Sequence, residues 1–153
     1  MSADSTPPFT TRLARAEEVD ALYAIHRETM REYVAQTYGD WDETDQAARF
    51  RERFTPGRYE AIELAGDVIG YIDCERDADG WHLNNIRVAP KWQGHGIGAA
   101  LIRALITRAD AEHVPVGLSV LRVNPARALY ERLGFLVVEE SETHFRMGRE
   151  PNG

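Results

Sequence analysis

The sequence predicts a mixed α/β fold: a central, mostly antiparallel sheet of about seven strands flanked by four helices. Segments with strand and helix periodicity follow one another in the order strand, two helices, three strands, helix, strand, helix, two strands. No internal repeat or linker interrupts them. The 153 residues, 43% hydrophobic and 28% charged, suit one domain with a real core and leave too little chain for two.

Residues 1–8, built of Ser, Thr, Asp and Pro, read as a flexible leader; the domain spans 9–148, with a flexible tail over 149–153. A short strand is expected over 9–14. Apolar residues then recur at helical spacing: Val19, Leu22, Tyr23, His26, Met30, Tyr33 and Val34. Gly39-Asp40 breaks that helix, and a second is expected over 41–54, ending before Pro56-Gly57. Strands over 59–64 and 68–75 flank the tight turn Ala65-Gly66-Asp67. After another turn over 77–80, a strand over 81–88 is stopped by Ala89-Pro90. An amphipathic helix is expected over 96–111, and a short buried strand over 116–120. Asn124 as N-cap and Pro125 at the first position predict a helix over 125–133, closed by Gly134. Strands over 135–138 and 143–147 finish the chain.

Charge and composition narrow the partners. A formal net charge of −7 argues against nucleic acid, which needs a basic face, and favours a cationic small molecule. No stretch approaches the roughly 20 apolar residues of a membrane span, and no apolar signal peptide opens the chain, so a cytoplasmic location is expected. Cys74 is the only cysteine, which excludes an internal disulfide and a cysteine-based metal site. It lies in an apolar run and reads as a buried structural thiol; no metal is expected.

The sharpest local signal is Gln93-Gly94-His95-Gly96-Ile97-Gly98, between a strand and a helix. Glycines admit positive φ, so successive N–H groups can converge on one anion. The helix that starts there adds its unpaired N–H groups and positive dipole end. Such a loop suits a pyrophosphate. The spacing is not the G-x-G-x-x-G of a dinucleotide fold, no acid follows near Leu118 and Ser119, and the Gly-Lys-Ser/Thr of a Walker loop is absent.

The segment Val88-Ala89-Pro90-Lys91-Trp92-Gln93-Gly94-His95-Gly96-Ile97-Gly98-Ala99-Ala100-Leu101 resembles motif A of the GNAT superfamily of N-acetyltransferases. Downstream, Asn124-Pro125-Ala126-Arg127-Ala128-Leu129-Tyr130-Glu131-Arg132-Leu133-Gly134-Phe135 resembles its motif B. The resemblance implies an acetyl-CoA-dependent enzyme acting by direct attack of an amine on the thioester. It implies that Ile86, Arg87 and Val88 border the pantetheine arm and thioester. The amides of Gln93, Gly94, His95, Gly96, Ile97, Gly98 and Ala99 would take the pyrophosphate. Asn124, Ala126, Arg127 and Tyr130 would line the coenzyme's other side, with the strands at Val88 and Leu118 splayed to admit it. Homodimers are common in that family, and a homodimer is carried as an expectation.

The reaction needs a deprotonated amine and a proton for the departing thiolate. Tyr130 matches the proton donor by residue type and motif position. Strand alternation puts His82, Asn84, Ile86 and Val88 on one face. Asn84 stands where the family often carries an acid or histidine. Deprotonation therefore falls to His82, since an imidazole can act as a base near neutrality, to a water held by Asn84, or to the substrate's own equilibrium. Glu28, Tyr33, Trp41 and His144, with Glu32, Asp42 and Glu43, supply an aromatic and acidic mixture suited to a cationic amine. A small-molecule primary amine is the expected acceptor. A protein lysine or N-terminus is the enzymatic alternative, and a non-catalytic acyl-CoA-binding module the third.

Overall fold

The structure, a computed structural model, describes residues 6–152. The expected leader therefore lies outside the described residues up to position 5, and Thr6 to Phe9 carry no regular structure. In chain order the elements are β1 (Thr10–Leu13), α1 (Val19–Tyr38), α2 (Glu43–Arg53), β2 (Tyr59–Leu64), β3 (Asp67–Asp77) and β4 (Gly80–Val88). Then follow α3 (Ile97–Glu112), β5 (Val116–Leu121), α4 (Ala126–Arg132), β6 (Leu136–Glu140) and β7 (His144–Arg149). Single 3₁₀ turns precede α1 and follow β4. The seven strands form one sheet in the order β1-β2-β3-β4-β5-β7-β6. β1–β2, β2–β3, β5–β7 and β6–β7 are antiparallel and β4–β5 is parallel, so the predicted architecture and element order stand.

Where the boundaries differ, a specific hydrogen bond explains it. α2 starts at Glu43 because Asp42 stays extended and its carboxylate accepts the Asp45 N–H at 3.0 Å, leaving Trp41 outside the helix. α4 starts at Ala126, with Asn124 Oδ1 accepting the Ala126 N–H at 2.9 Å. β7 runs on to Arg149, into the segment expected as a tail. There Arg149 pairs with Asp110 at 2.9 Å and the Asn152 N–H donates to the same carboxylate at 3.1 Å. Cys74, expected to be buried, is half-buried.

The chain divides into two compact units: residues 1–73 with 85–98, and residues 74–84 with 99–153. In the second unit the two-residue period sorts the strands into two faces. Leu83, Leu118 and Met147 share one level and one face; Val120 and Phe145 extend it, and all five are buried. α3 lies on this side: Trp81 Nε1 donates to Glu112 at 3.0 Å, the Arg108 guanidinium stands 4.6 Å from the Trp81 ring centre, and Arg149 reaches Asp110. The opposite face carries His82, Gly117 and Gly148 at one level, then Ser119 paired with Arg146, then Leu121 paired with His144.

The first unit has an aromatic core. Leu22, Tyr23, Ile25, Phe50, Tyr59, Ala61 and Tyr71 are buried together, with Tyr59 stacked on Tyr71 at 5.6 Å and Phe50 edge-on to both. Asp73, almost fully buried, takes the Arg58 guanidinium at 2.5 and 3.2 Å. His26 packs 5.4 Å from Phe50 and 5.8 Å from Trp41. Burial first, then the charges of Arg87 and Arg53, push its pKa down to about 3. A histidine depressed in the folded state contributes stability that is present above its unfolded value of ~6.5 and lost as pH falls toward the folded value. His26→Phe should therefore retain a larger share of its neutral-pH melting temperature at pH 4.5 than the wild type does. Calorimetric scans of both proteins from pH 7 to 4 measure this, and parallel curves would remove His26 from the acid limb.

Candidate active site

The glycine loop belongs to the first unit. β4 ends against β3, where the Ala89 N–H donates to Ile69 O at 2.7 Å. After the 3₁₀ turn, Gln93 reaches back and its Nε2 donates to Val88 O at 2.9 Å. Gly94 and Gly96 take φ of +81° and +83°, a conformation that favours glycine. Between them the His95 ring folds inward, Nδ1 lying 3.1 Å from the carbonyl oxygens of Trp92 and Gln93. His95 thus braces the loop with its ring. α3 begins at Ile97, so the N–H groups of Ile97, Gly98 and Ala99 have no carbonyl one turn earlier to bond. Two left-handed glycines leading into a helix start make a cradle for a di-anionic group.

Ile86 Cδ1 stands 4.0 Å from where a Cβ on Gly98 would lie, and Val88 Cα stands 3.1 Å from the corresponding point on Gly70. Arg87 donates to Ile86 O at 2.9 Å and to Asn85 Oδ1 at 3.1 Å, while its Nε is buried without a partner among the described residues.

In the second unit, His82 and Asn84 share the face opposite α3, and each meets a carboxylate from β3. His82 Nε2 lies 2.8 Å from Asp77 Oδ2. Asn84 Nδ2 donates to Glu75 Oε1 at 2.6 Å. The Asp79 N–H, then the His82 ring and the Gly80 N–H, hold the Asp77 carboxyl below the usual range. The sequence reading missed both acids. Alternation along β3 and a 77–80 hairpin would have put Glu75 and Asp77 beside β4's polar positions. A cavity of about 580 Å³ opens on this face, lined by His82, Asn84, Gly117, Ser119, Arg146 and Gly148 among others. His144 lies on the same side of β7, its Nδ1 2.8 Å from Thr143 Oγ1.

On α4, Tyr130 is buried with its ring edge-on to Phe135 at 5.9 Å. The Arg127 guanidinium stands 4.1 Å over the Phe145 ring and its Nε is buried unpartnered among the described residues. The Asn124 side chain is engaged by the Ala126 N–H as a cap.

Three of the expected acceptor residues belong to the first unit. Glu28 is exposed and Tyr33 half-buried on α1. Trp41 is a packing residue: its ring lies against His26 and its Nε1 donates to Glu43 at 2.9 Å. Glu43 also accepts from Tyr23 and Arg27, so its carboxyl is held below the usual range, by Trp41 foremost. Within the second unit the structure brings His82, Asn84 and His144 to one face. No cluster of three or more metal-ligating side chains occurs among the described residues.

The model of the acetyltransferase (GNAT) family matches residues 19–135. The chain belongs to the GNAT family. It is 34% identical over 91 residues to the ribosomal protein bS18-alanine N-acetyltransferase of Haemophilus influenzae. That match spans 58% of this chain and 62% of the relative, about three fifths of each. Among solved structures, the PaiA N-acetyltransferase of Thermoplasma acidophilum in complex with coenzyme A superposes with a TM-score of 0.74 at 18% identity, over 94% of this chain and 99% of that one. The Escherichia coli ribosomal-protein-S18-alanine N-acetyltransferase does so at 0.67 and 23%, over 95% and 96%. At these identities the likeness establishes the GNAT fold. No helix among the described residues is long and apolar enough to cross a membrane.

The Asn124 cap can be weighed separately from any ligand. Asn124→Ala should cost about 1 kcal/mol of stability with an unchanged m-value in urea unfolding, the usual effect of removing such a cap. A stability equal to that of the wild type would show that α4 does not rely on it.

Proposed function

We propose that this chain moves an acetyl group from acetyl-CoA to a primary amine, and that the amine is the N-terminus of a polypeptide. The observation that carries the coenzyme half is the Gly94–Gly96 loop at the head of α3, whose geometry fits a pyrophosphate. Family membership supports acetyl transfer. The acceptor half is supported by the relative that acts on the alanine of a ribosomal protein. The small-molecule amine expected from the sequence draws no comparable support.

Acetyl-CoA supplies an activated acyl group, and the protein's residues handle the protons. An α-amine has a pKa of ~7.7–8.0, so near neutrality one proton must leave a large share of the acceptor molecules before attack. His82 takes that proton, its Nε2 standing 2.8 Å from Asp77 Oδ2. Asn84 is held by Glu75 and keeps its amide facing the same cavity. The amine nitrogen bonds to the acyl carbon as the carbon–sulfur bond breaks. The Tyr130 hydroxyl then returns a proton to the thiolate.

Two measurements bear on this. Calorimetric titration should show acetyl-CoA binding to the wild type and at least about tenfold weaker binding, or ~1.4 kcal/mol, to Gly96→Asp. Equal affinity in the two would move the coenzyme off the loop. His82→Gln should lower kcat/KM by about 100-fold and flatten its rise with pH, the scale of a lost general base. An unchanged profile would exclude His82.

A further inference from the structure

The cavity on the second unit's sheet face has a floor of missing side chains. Gly117 and Gly148 are direct partners in the β5–β7 ladder, side by side at its centre. Neither needs to be glycine. Neither has a positive φ, and an added Cβ would meet nothing nearer than 3.8 Å at Gly117 and 3.7 Å at Gly148. The contrast within the same fold is sharp: a Cβ on Gly70 would stand 2.2 Å from a backbone oxygen and one on Gly80 2.4 Å. The backbone demands glycine there, whereas at 117 and 148 its absence of a side chain leaves only room above the sheet.

The size and ends of that room define an occupant. About 580 Å³ exceeds what a simple alkylamine fills and lies in the usual range for larger ligands. From Ser119 down β5 to Pro115, just before the strand, the floor spans four residue steps, roughly 13 Å, the length of about four extended residues. Over Val116–Leu118 β5 is paired with β4 on one edge and β7 on the other, so along that stretch a ligand cannot join as a strand and must lie across the face. Charge differs along the length. Arg146 stands at the Ser119 end, ion-paired with Glu139 at 3.6 Å. Asp79 and Glu150 lie toward the Pro115 end. Their carboxylates have no ion-pair partner among the described residues, whereas Asp77 nearby does. A cation suits the acidic end, whereas at the other end Glu139 offsets Arg146 and Glu75 is engaged by Asn84.

We infer that this trench holds the first residues of a polypeptide acceptor, with the α-amine beside Asn84 and Ser119 and a basic side chain near the fourth residue facing Asp79 and Glu150. The inference rests on the N-terminal acceptor proposed above and adds the sequence that acceptor carries.

The test uses the full chain, with and without CoA, and two fluorescein-labelled hexapeptide amides, Ala-Gly-Gly-Arg-Gly-Gly and Ala-Gly-Gly-Glu-Gly-Gly, each labelled at the C-terminus. The Arg peptide should bind more tightly in anisotropy titrations. Gly117→Val should weaken its binding at least about tenfold by filling the floor. Asp79→Asn with Glu150→Gln should reduce it about fivefold while leaving the Glu peptide no worse bound. Equal binding of both peptides, or affinity untouched by these substitutions, would overturn the trench. If Gly117→Val loses its fold, the charge pair decides. Peptide binding that survives in a protein unable to release thiol from acetyl-CoA would count against the acetyltransferase reading and leave the trench standing.

Discussion

Where β3 passes β4 at Gly70 the two backbones come so close that no side chain fits between them. A Cβ there would lie 2.2 Å from Arg87 O and 3.1 Å from both Val88 Cα and Ile62 Cδ1. The neighbouring Ala89 N–H to Ile69 O bond locks the same approach. The glycine loop inherits its position from this crossing. The Val88 carbonyl is fixed, the Gln93 amide closes onto it, and the two left-handed glycines and the first turn of α3 continue from there. A methyl at position 70 would have to part the strands and with them the base of the loop. The base of the glycine loop is therefore fixed by sterics, without depending on any charged contact.

The second unit divides labour through strand alternation alone. One set of residues, from Leu83 through Leu118 to Met147, is apolar and sealed by α3. The residues between them carry the titratable and small side chains. One backbone ladder thus carries the buried apolar core on one side and a polar, open face on the other. The first unit puts its polar groups to structural use. Asp73 is matched by Arg58, Glu43 is saturated by three donors, and His26 is buried enough to stay neutral. Of the aromatic and acidic residues that looked suited to a cation from the sequence, Trp41 and Glu43 are bonded to each other.

The contrast between those two cases explains what could be read in advance. Element order was legible because it rests on periodicity, and the loop because its glycines and helix start are contiguous. Helix starts slipped by a residue or two where Asp42 and Asn124 act as caps, a choice made by one side-chain hydrogen bond. Asn84 appeared to replace an acid. Glu75, the acid, stands 2.6 Å away on the preceding strand, and only the β3–β4 register reveals it. The Asp77–His82 contact was hidden for the same reason. Trp41 packs against His26, a contact that composition gave no sign of. Gly117 and Gly148 carried no local signal because each sits in an ordinary strand conformation.

Those two glycines have a consequence for how the protein can change over time. Many positions that shape a binding site also hold the scaffold together, so altering one risks the other. Here the floor of the cavity can gain a methyl without bending the backbone or crowding a neighbour. At 117 and 148 the shape of this face is therefore set separately from the fold, because the backbone conformation is one that any residue adopts.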